Sequence, residues 1–292
     1  MSRGFVIIGI DTDADCVKYA ASLAMSIKNC DFNSQVCLIT DKNFTLSKKY
    51  IDLDCFDYTA ELPFGNTGHK DGFHGSNFWQ VMHCTPFEET IYLDYDMLFV
   101  NVDIDLLWDE FQNYDIAMPV MARTYRNDIA TKTKRFEIEN NYQLPKFYSQ
   151  IFYFKNDKFA SDWFKMADPF YQNWRSVYDV YFKDKKPWSF NKNIINNLIT
   201  HSMDETENVS IVLNNFYDID VWSSNLWNED ISEEWTGLLN SWYKDNGEII
   251  IENSLISSGI VHYRDESFMT KEIENVITNT FKTNKLREET QT

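Results

Sequence analysis

The apolar residues of this chain fall into short unbroken runs separated by stretches of helical period, the pattern of buried strands alternating with amphipathic helices. Gly4-Phe5-Val6-Ile7-Ile8-Gly9-Ile10 is apolar throughout and closes on Asp11-Thr12-Asp13-Ala14-Asp15, so it reads as a central parallel strand ending in turn formers and helix caps. From Cys16 to Lys28 the positions Val17, Ala20, Ala21, Ala24 and Met25 recur at three and four, predicting a helix whose small residues let it lie close on a sheet. Gln35 to Thr40 is the next strand, and this strand, helix, strand order is a βαβ unit that begins a doubly wound half. Further strands are predicted at 55–58, 91–93, 115–120 and 151–154. Helices are predicted at 77–84, from Ile104, over 158–174 with Phe159, Trp163, Met166 and Phe170 as a core stripe, and from Asn191. Residues 269–292 read as a charged helix fading into a disordered tail.

The organising stretch is Glu88 to Val100. The run Ile91-Tyr92-Leu93 ends abruptly in Asp94 and Asp96, and a second apolar run leaves at Met97. A buried strand would thus deliver two carboxylates to its carboxyl end, the edge at which open α/β sheets bind ligands. Asp94 and Asp96 share a side of an extended chain, and paired hard oxygen ligands suit Mg²⁺ or Mn²⁺. One Asp-x-Asp among 45 acidic residues is a weak signal taken alone.

Size and charge narrow the picture. At 292 residues one large α/β catalytic domain with an elaborated second half is expected. A net charge of −18 argues against broad attraction to nucleic acid or anionic membrane, making nucleic acid the least favoured partner. A phosphate-bearing ligand in so acidic a chain calls for a cation. The five cysteines (Cys16, Cys30, Cys37, Cys55, Cys84) lack Cys-x-x-Cys spacing and read as reduced core fillers of a cytoplasmic protein. The amino terminus is too short in apolar residues for a signal peptide, so the sequons at Asn43 and Asn208 read as coincidental, and no run approaches the ~18 apolar residues of a membrane helix. The absence of Gly-x-Gly-x-x-Gly and of a Walker sequence disfavours a dinucleotide cofactor or a P-loop.

The segment Ile91-Tyr92-Leu93-Asp94-Tyr95-Asp96, followed by an apolar strand and a helix like Ile104-Asp105-Leu106-Leu107-Trp108, resembles the GT-A glycosyltransferases of the glycogenin and lipopolysaccharide-glycosyltransferase type. Leu144 to Phe154 resembles the family segment written Tyr-Asn-Ser-Gly before a strand, with Gln150 in the place of the Gly. Ser257 to His262 resembles the late strand that ends in a metal-binding His. The resemblance implies a Rossmann-like α/β fold with a mixed, mainly parallel central sheet flanked by helices. It implies one domain over 1–292, with a nucleotide-sugar half at 1–100, an acceptor half at 101–268 and a C-terminal helix and tail at 269–292.

The resemblance further implies transfer of a sugar from a nucleotide-diphosphate donor, UDP-sugars favoured, to a glycan or other hydroxyl acceptor with retention. Asp94, Asp96 and His262 would hold Mn²⁺ or Mg²⁺; Gly9, Ile10, Asp11, Thr12, Asp94, Tyr95 and Arg264 would meet the donor, to which the residues themselves add Lys70 as a candidate phosphate contact; Gln150 and Asn191 would face the reacting sugar. The chain has Cys16 where the family often has Tyr, Gln80 or Trp79 where it has a basic residue, and Asn191-Lys192 where it tends to have Asp-Gln.

Several residues carry two readings. Lys70, with His69 and His74, belongs either to a phosphate-reaching loop or to a solvated one. Residues 125–144 form an acceptor lid or a plain insertion. Asn191 touches sugar or caps its helix. Trp222, Trp227, Trp235 and Trp242 form a sugar-stacking platform or pack in the core. The rival activities are a nucleotidyltransferase, disfavoured by the acidic loop at 11–15, and a glycan-binding or scaffold protein without turnover. Nothing in the sequence sets an oligomeric state.

Overall fold

The computed structural model describes residues 2–10, 15–41, 54–68, 74–130, 139, 141–182, 190–219, 241–244, 246–263 and 268–291. β1 (Arg3–Ile8) pairs in parallel with β2 (Val36–Thr40) on one side and β4 (Glu89–Leu93) on the other, and β2 pairs in parallel with β3 (Tyr58–Glu61). Beyond β4 lie β7 (Ile151–Lys155) and β6 (Ile116–Pro119), each antiparallel to its predecessor, and then β8 (Ser210–Ile211), parallel to β6. The seven-stranded order is β3-β2-β1-β4-β7-β6-β8, a mixed and mainly parallel sheet of the kind anticipated.

Both faces of the sheet are covered, which is why its strands are continuous apolar runs. On one face Phe5, Ile7, Leu38, Ile91 and Leu93 meet α1 (Asp15–Cys30) through Val17, Ala20, Ala21 and Ala24. On the other, Val6, Ile8, Ile39, Tyr92, Phe152 and Phe154 meet the helix Lys158–Gln172. That helix turns Ala160, Trp163, Phe164, Ala167 and Tyr171 inward. Of the predicted stripe only Trp163 is fully buried; Phe159, Met166 and Phe170 flank it partly exposed, because the small residues Ala160 and Ala167 face the sheet instead.

Two elements depart from the predictions for local reasons. The third strand begins at Tyr58, since the Asp57 carboxylate accepts from the Val36 amide at 2.7 Å and bridges to Lys28, taking up the first ladder position. The predicted helix at 77–84 is a 3-10 segment, His74–Gln80, followed by one α-helical turn, Val81–Cys84. Asn77 and Gln80 are drawn to the preceding loop: Thr67 N donates to Asn77 Oδ1, Phe64 N donates to Gln80 Oε1, and Gln80 Nε2 donates to Gly65 O. Gln80 is therefore fully buried and engaged in holding that loop.

The carboxyl-terminal segment does not fade. The helix Lys271–Gln291 buries Ile273, Ile277 and Phe281 against α1, with Phe281 stacked on Phe32 and Asn29 donating to Ile277 O at 3.1 Å. Its apolar residues recur at four, a signal diluted by charged neighbours. Phe281→Ala is expected to lower stability by about 3 kcal/mol, read by chemical denaturation, because its side chain is fully enclosed.

Two further three-stranded sheets complete the described fold. One is the meander β10 (Ser241–Tyr243), β11 (Ile249–Ile251) and β12 (Ser254–Ile256). The other places β13 (Gly259–His262) between β5 (Met97–Val100) and β9 (Phe216–Asp218), antiparallel to the first and parallel to the second. Gly259 has φ +150°, and a Cβ there would lie 2.5 Å from Asn215 O, so glycine is required where β13 is laid against its neighbour. No disulfide joins the cysteines, and burial pushes the thiols of Cys37, Cys55 and Cys84 up to about 12.

Candidate metal and donor site

β4 ends at Leu93, and the next amide, Asp94 N, donates to Gln150 O at 3.0 Å, just before β7. The chain then turns out of the large sheet into β5, so Asp94 and Asp96 occupy the link between two sheets. β5 pairs with β13 in a register that sets Met97 opposite His262, and β13 pairs with β9 so that His262 stands beside Asp218. Tyr263 N donates to Asp96 O at 3.0 Å and fixes the late strand to the acidic turn. Ligand atoms of Asp94, Asp96 and His262, residues 168 apart at their extremes by sequence number, all lie within 4.8 Å of one another.

The surroundings of these groups are specific. His262 Nδ1 lies 2.8 Å from Asp218 Oδ1, and its Nε2 lies 3.4 Å from Asp96 Oδ2. Asp218 is 1% exposed, and its own amide donates to Arg123 O at 2.9 Å. Burial alone would push the imidazole down, but the carboxylates of Asp96 and Asp218 outweigh it and raise His262 to about 9. Burial alone would raise Asp96, yet the charge and hydrogen bond of His262 bring it below the ordinary carboxylate range. Asp94 Oδ1 accepts from Tyr92 OH at 2.7 Å and from the ammonium of Lys192.

The donor set fits a divalent cation: two carboxylates and one imidazole nitrogen converge, and both side-chain partners of Asp94 sit on Oδ1. The imidazole is oriented through its other nitrogen by Asp218, the arrangement by which an outer carboxylate fixes a metal-binding His. Beside these residues opens a cavity of about 360 Å³, lined by Ile8, Tyr92, Tyr95, Gln150, Lys192 and Asn193 as well as the two aspartates. Small-molecule sites occupy roughly 300–1,000 Å³.

Most of the predicted site residues that the structure describes assemble here. Gln150 lines the cavity, is 6% exposed, and its Oε1 has no hydrogen-bond partner among the described residues. Tyr95 lines it too, stacked on Tyr19 with centroids 6.3 Å apart. At the end of β1 the wall is formed by Ile8; Ile10 is packed in the core, and Gly9 sits against Leu38, where a Cβ would come within 2.9 Å. Asn191 Oδ1 accepts from Ile194 N at 3.2 Å and caps the helix Lys192–Ser202. Asp11, Thr12, Lys70 and Arg264 lie outside the described residues, as do Trp222, Trp227, Trp235 and part of 125–144; Trp242 is 55% exposed on β10.

Sequence reasoning missed Asp218, Asn193 and the role of Lys192. Asp218 ends a short apolar strand with an acid, as Asp94 does, and that repetition was the available signal. Asn193 accepts from Ser149 N at 2.7 Å and so ties the cavity's helix to the start of β7. A lysine at the first position of a helix, where acids are favoured, was the signal for Lys192.

Over 96% of its length the chain is similar to a crystal structure of galactosyltransferase LgtC in complex with donor and acceptor sugar analogues, at 12% identity and a TM-score of 0.54, covering 95% of that chain. An active-site mutant of LgtC matches over the same shares at 13% identity and a TM-score of 0.55. The apo-form glycosyltransferase GlyE of Streptococcus pneumoniae TIGR4 matches at 10% identity and a TM-score of 0.50, over 97% of this chain and 64% of that one. No family model and no curated protein matches the sequence. The architecture is thus a GT-A glycosyltransferase-like fold, with the Asp94–Asp96–His262 cluster at the carboxyl end of its parallel strands. No described helix is long and apolar enough to cross a membrane.

Proposed function

We propose that this chain is a metal-dependent glycosyltransferase, moving a sugar from a nucleotide-diphosphate donor, most favourably a UDP-sugar, to a hydroxyl acceptor. The observation that carries the reading is the convergence of Asp94, Asp96 and His262 beside a ligand-sized cavity on this fold. Residues 1–100 would form the nucleotide-sugar half and 101–268 the acceptor half. Mn²⁺ or Mg²⁺, held by Asp94, Asp96 and the Nε2 side of His262, would neutralise charge on the leaving diphosphate. Asp218 would keep the imidazole turned toward the ion.

The remaining work falls to the cavity wall. Gln150 Oε1, buried and without a partner among the described residues, would accept a hydrogen bond from a hydroxyl of the transferred sugar. Tyr95 would offer an aromatic face, while Asn191, which caps the helix behind the wall, would act by holding that helix in place. Among the described residues the wall supplies the amides of Gln150 and Asn193 and the ammonium of Lys192 beside the two cation-binding acids, and the retaining course is proposed on the motif resemblance alone. The hold of Lys192 on Asp94 favours a second reading, donor binding without turnover, and Mn²⁺-dependent hydrolysis of a donor would exclude it.

The test is thermal unfolding with a panel of nucleotide-sugars, each with and without Mn²⁺. Ligand at ~100 Kd adds about 2.7 kcal/mol to the folded state, a readily measured shift. A rise in melting temperature is expected only when Mn²⁺ and one donor are both present. Identical curves across the whole panel would overturn the proposed function.

A further inference from the structure

Lys192 is the cavity residue that the proposed function leaves unexplained. It opens the helix Lys192–Ser202, where the aligned peptide dipoles favour an anion and disfavour a cation. It is nonetheless only 9% exposed. Its ammonium rests on Asp94 Oδ1 and lies over two rings, 4.7 Å from the centroid of Tyr92 and 5.7 Å from that of Phe78. Tyr92 in turn donates to the same carboxylate oxygen. An unfavourable placement is thus compensated chiefly by direct contact with the Asp94 carboxylate, and with Asp96 also close enough to feel the ammonium's charge, the compensation comes from the candidate cation cluster.

Resting on the metal-dependent reading, we propose that Lys192 is a resident counter-cation that competes with the divalent ion for Asp94 and makes tight ion binding depend on the diphosphate. Without an ion, the ammonium answers the charge of Asp94. An ion held by Asp94 and Asp96 has a unit positive charge one carboxylate away, and like charges that close in a partly buried site repel strongly. A nucleoside diphosphate brings negative charge that offsets ion and ammonium together. Ion and diphosphate therefore reinforce one another's binding, and Lys192 sets the size of that coupling.

Binding of Mn²⁺ alone, and of Mn²⁺ in the presence of UDP, is to be measured by calorimetry and by the paramagnetic resonance signal of free Mn²⁺. The proteins are wild type, Lys192→Met, Lys192→Gln and Lys192→Arg, with melting curves confirming that each is folded. Removing the charge in either Met or Gln variant is expected to tighten binding of Mn²⁺ alone by about tenfold or more, and to shrink the gain that UDP gives. Lys192→Arg, which keeps the charge, is expected to behave as wild type. Unchanged or weaker Mn²⁺ binding in folded Met and Gln variants would overturn this role and leave Lys192 a structural ion pair. Failure of every variant to bind Mn²⁺, with or without UDP, would instead overturn the metal-dependent reading together with the proposal that rests on it.

Discussion

Asp96→Ala is expected to abolish Mn²⁺ binding and the donor-dependent rise in melting temperature, and to slow sugar transfer roughly 10³-fold or more, because a metal ion supplies several kcal/mol toward a developing negative charge. The geometry makes Asp96 the sharper of the two aspartates to test. Its carboxylate faces His262 Nε2 at 3.4 Å, whereas Asp94 shares its Oδ1 with Tyr92 and Lys192. Its backbone contribution is separable, since the bond from Tyr263 N goes to the main-chain oxygen and survives truncation. His262 also keeps Asp218 on its other nitrogen, so the folded state retains a partner for the ring. Calorimetry with Mn²⁺, alongside melting curves with the donor that stabilises wild type, provides the measurement. Mn²⁺ bound as tightly by a folded Asp96→Ala protein as by wild type would place the ion elsewhere.

The cluster was legible in pieces, for physical reasons that differ from piece to piece. Asp94 and Asp96 were legible because an apolar run ends abruptly in two acids that the period of an extended chain puts on one side, a weak signal that the resemblance of the surrounding segments strengthened. His262 ends a strand in the same way, but its partnership with Asp96 depends on the β5–β13 register, a contact between residues far apart in sequence that no local pattern encodes. Asp218 depends on a second such register, between β13 and β9, and its strand is only three residues long. Lys192 shows the converse. Local rules argue against a buried cation at a helix start, and tertiary structure overrides them by bringing Asp94 from 98 residues away. The fold itself was easier in the large sheet, because strands buried on both faces write their position as unbroken apolar runs, whereas the short strands β8 to β12 were not predicted and the helix expected at 77–84 begins as a 3-10 segment.

Asp218→Asn tests the orientation of His262 separately from the cation ligands. An amide of the same shape can still accept from an imidazole N–H, but it carries no charge, and its nitrogen competes as a donor. Loss of such an outer partner lowers metal affinity by roughly 10- to 100-fold, so Mn²⁺ binding should weaken by that amount while the fold persists. The pH dependence of the metal-free protein gives an independent readout. His262 is raised from its ordinary 6.5 to about 9, against the effect of burial, by Asp96 and Asp218. Its ion pairing therefore stabilises the metal-free fold fully below pH 6.5, and that contribution is lost as the pH climbs through about 9. With the Asp218 charge removed, the fall in stability between these limits should flatten, because only Asp96 still favours the charged ring. Denaturation curves for metal-free wild type and Asp218→Asn across this range measure the effect directly. A variant with wild-type Mn²⁺ affinity and an unchanged pH profile would show that the buried carboxylate neither orients nor charges His262.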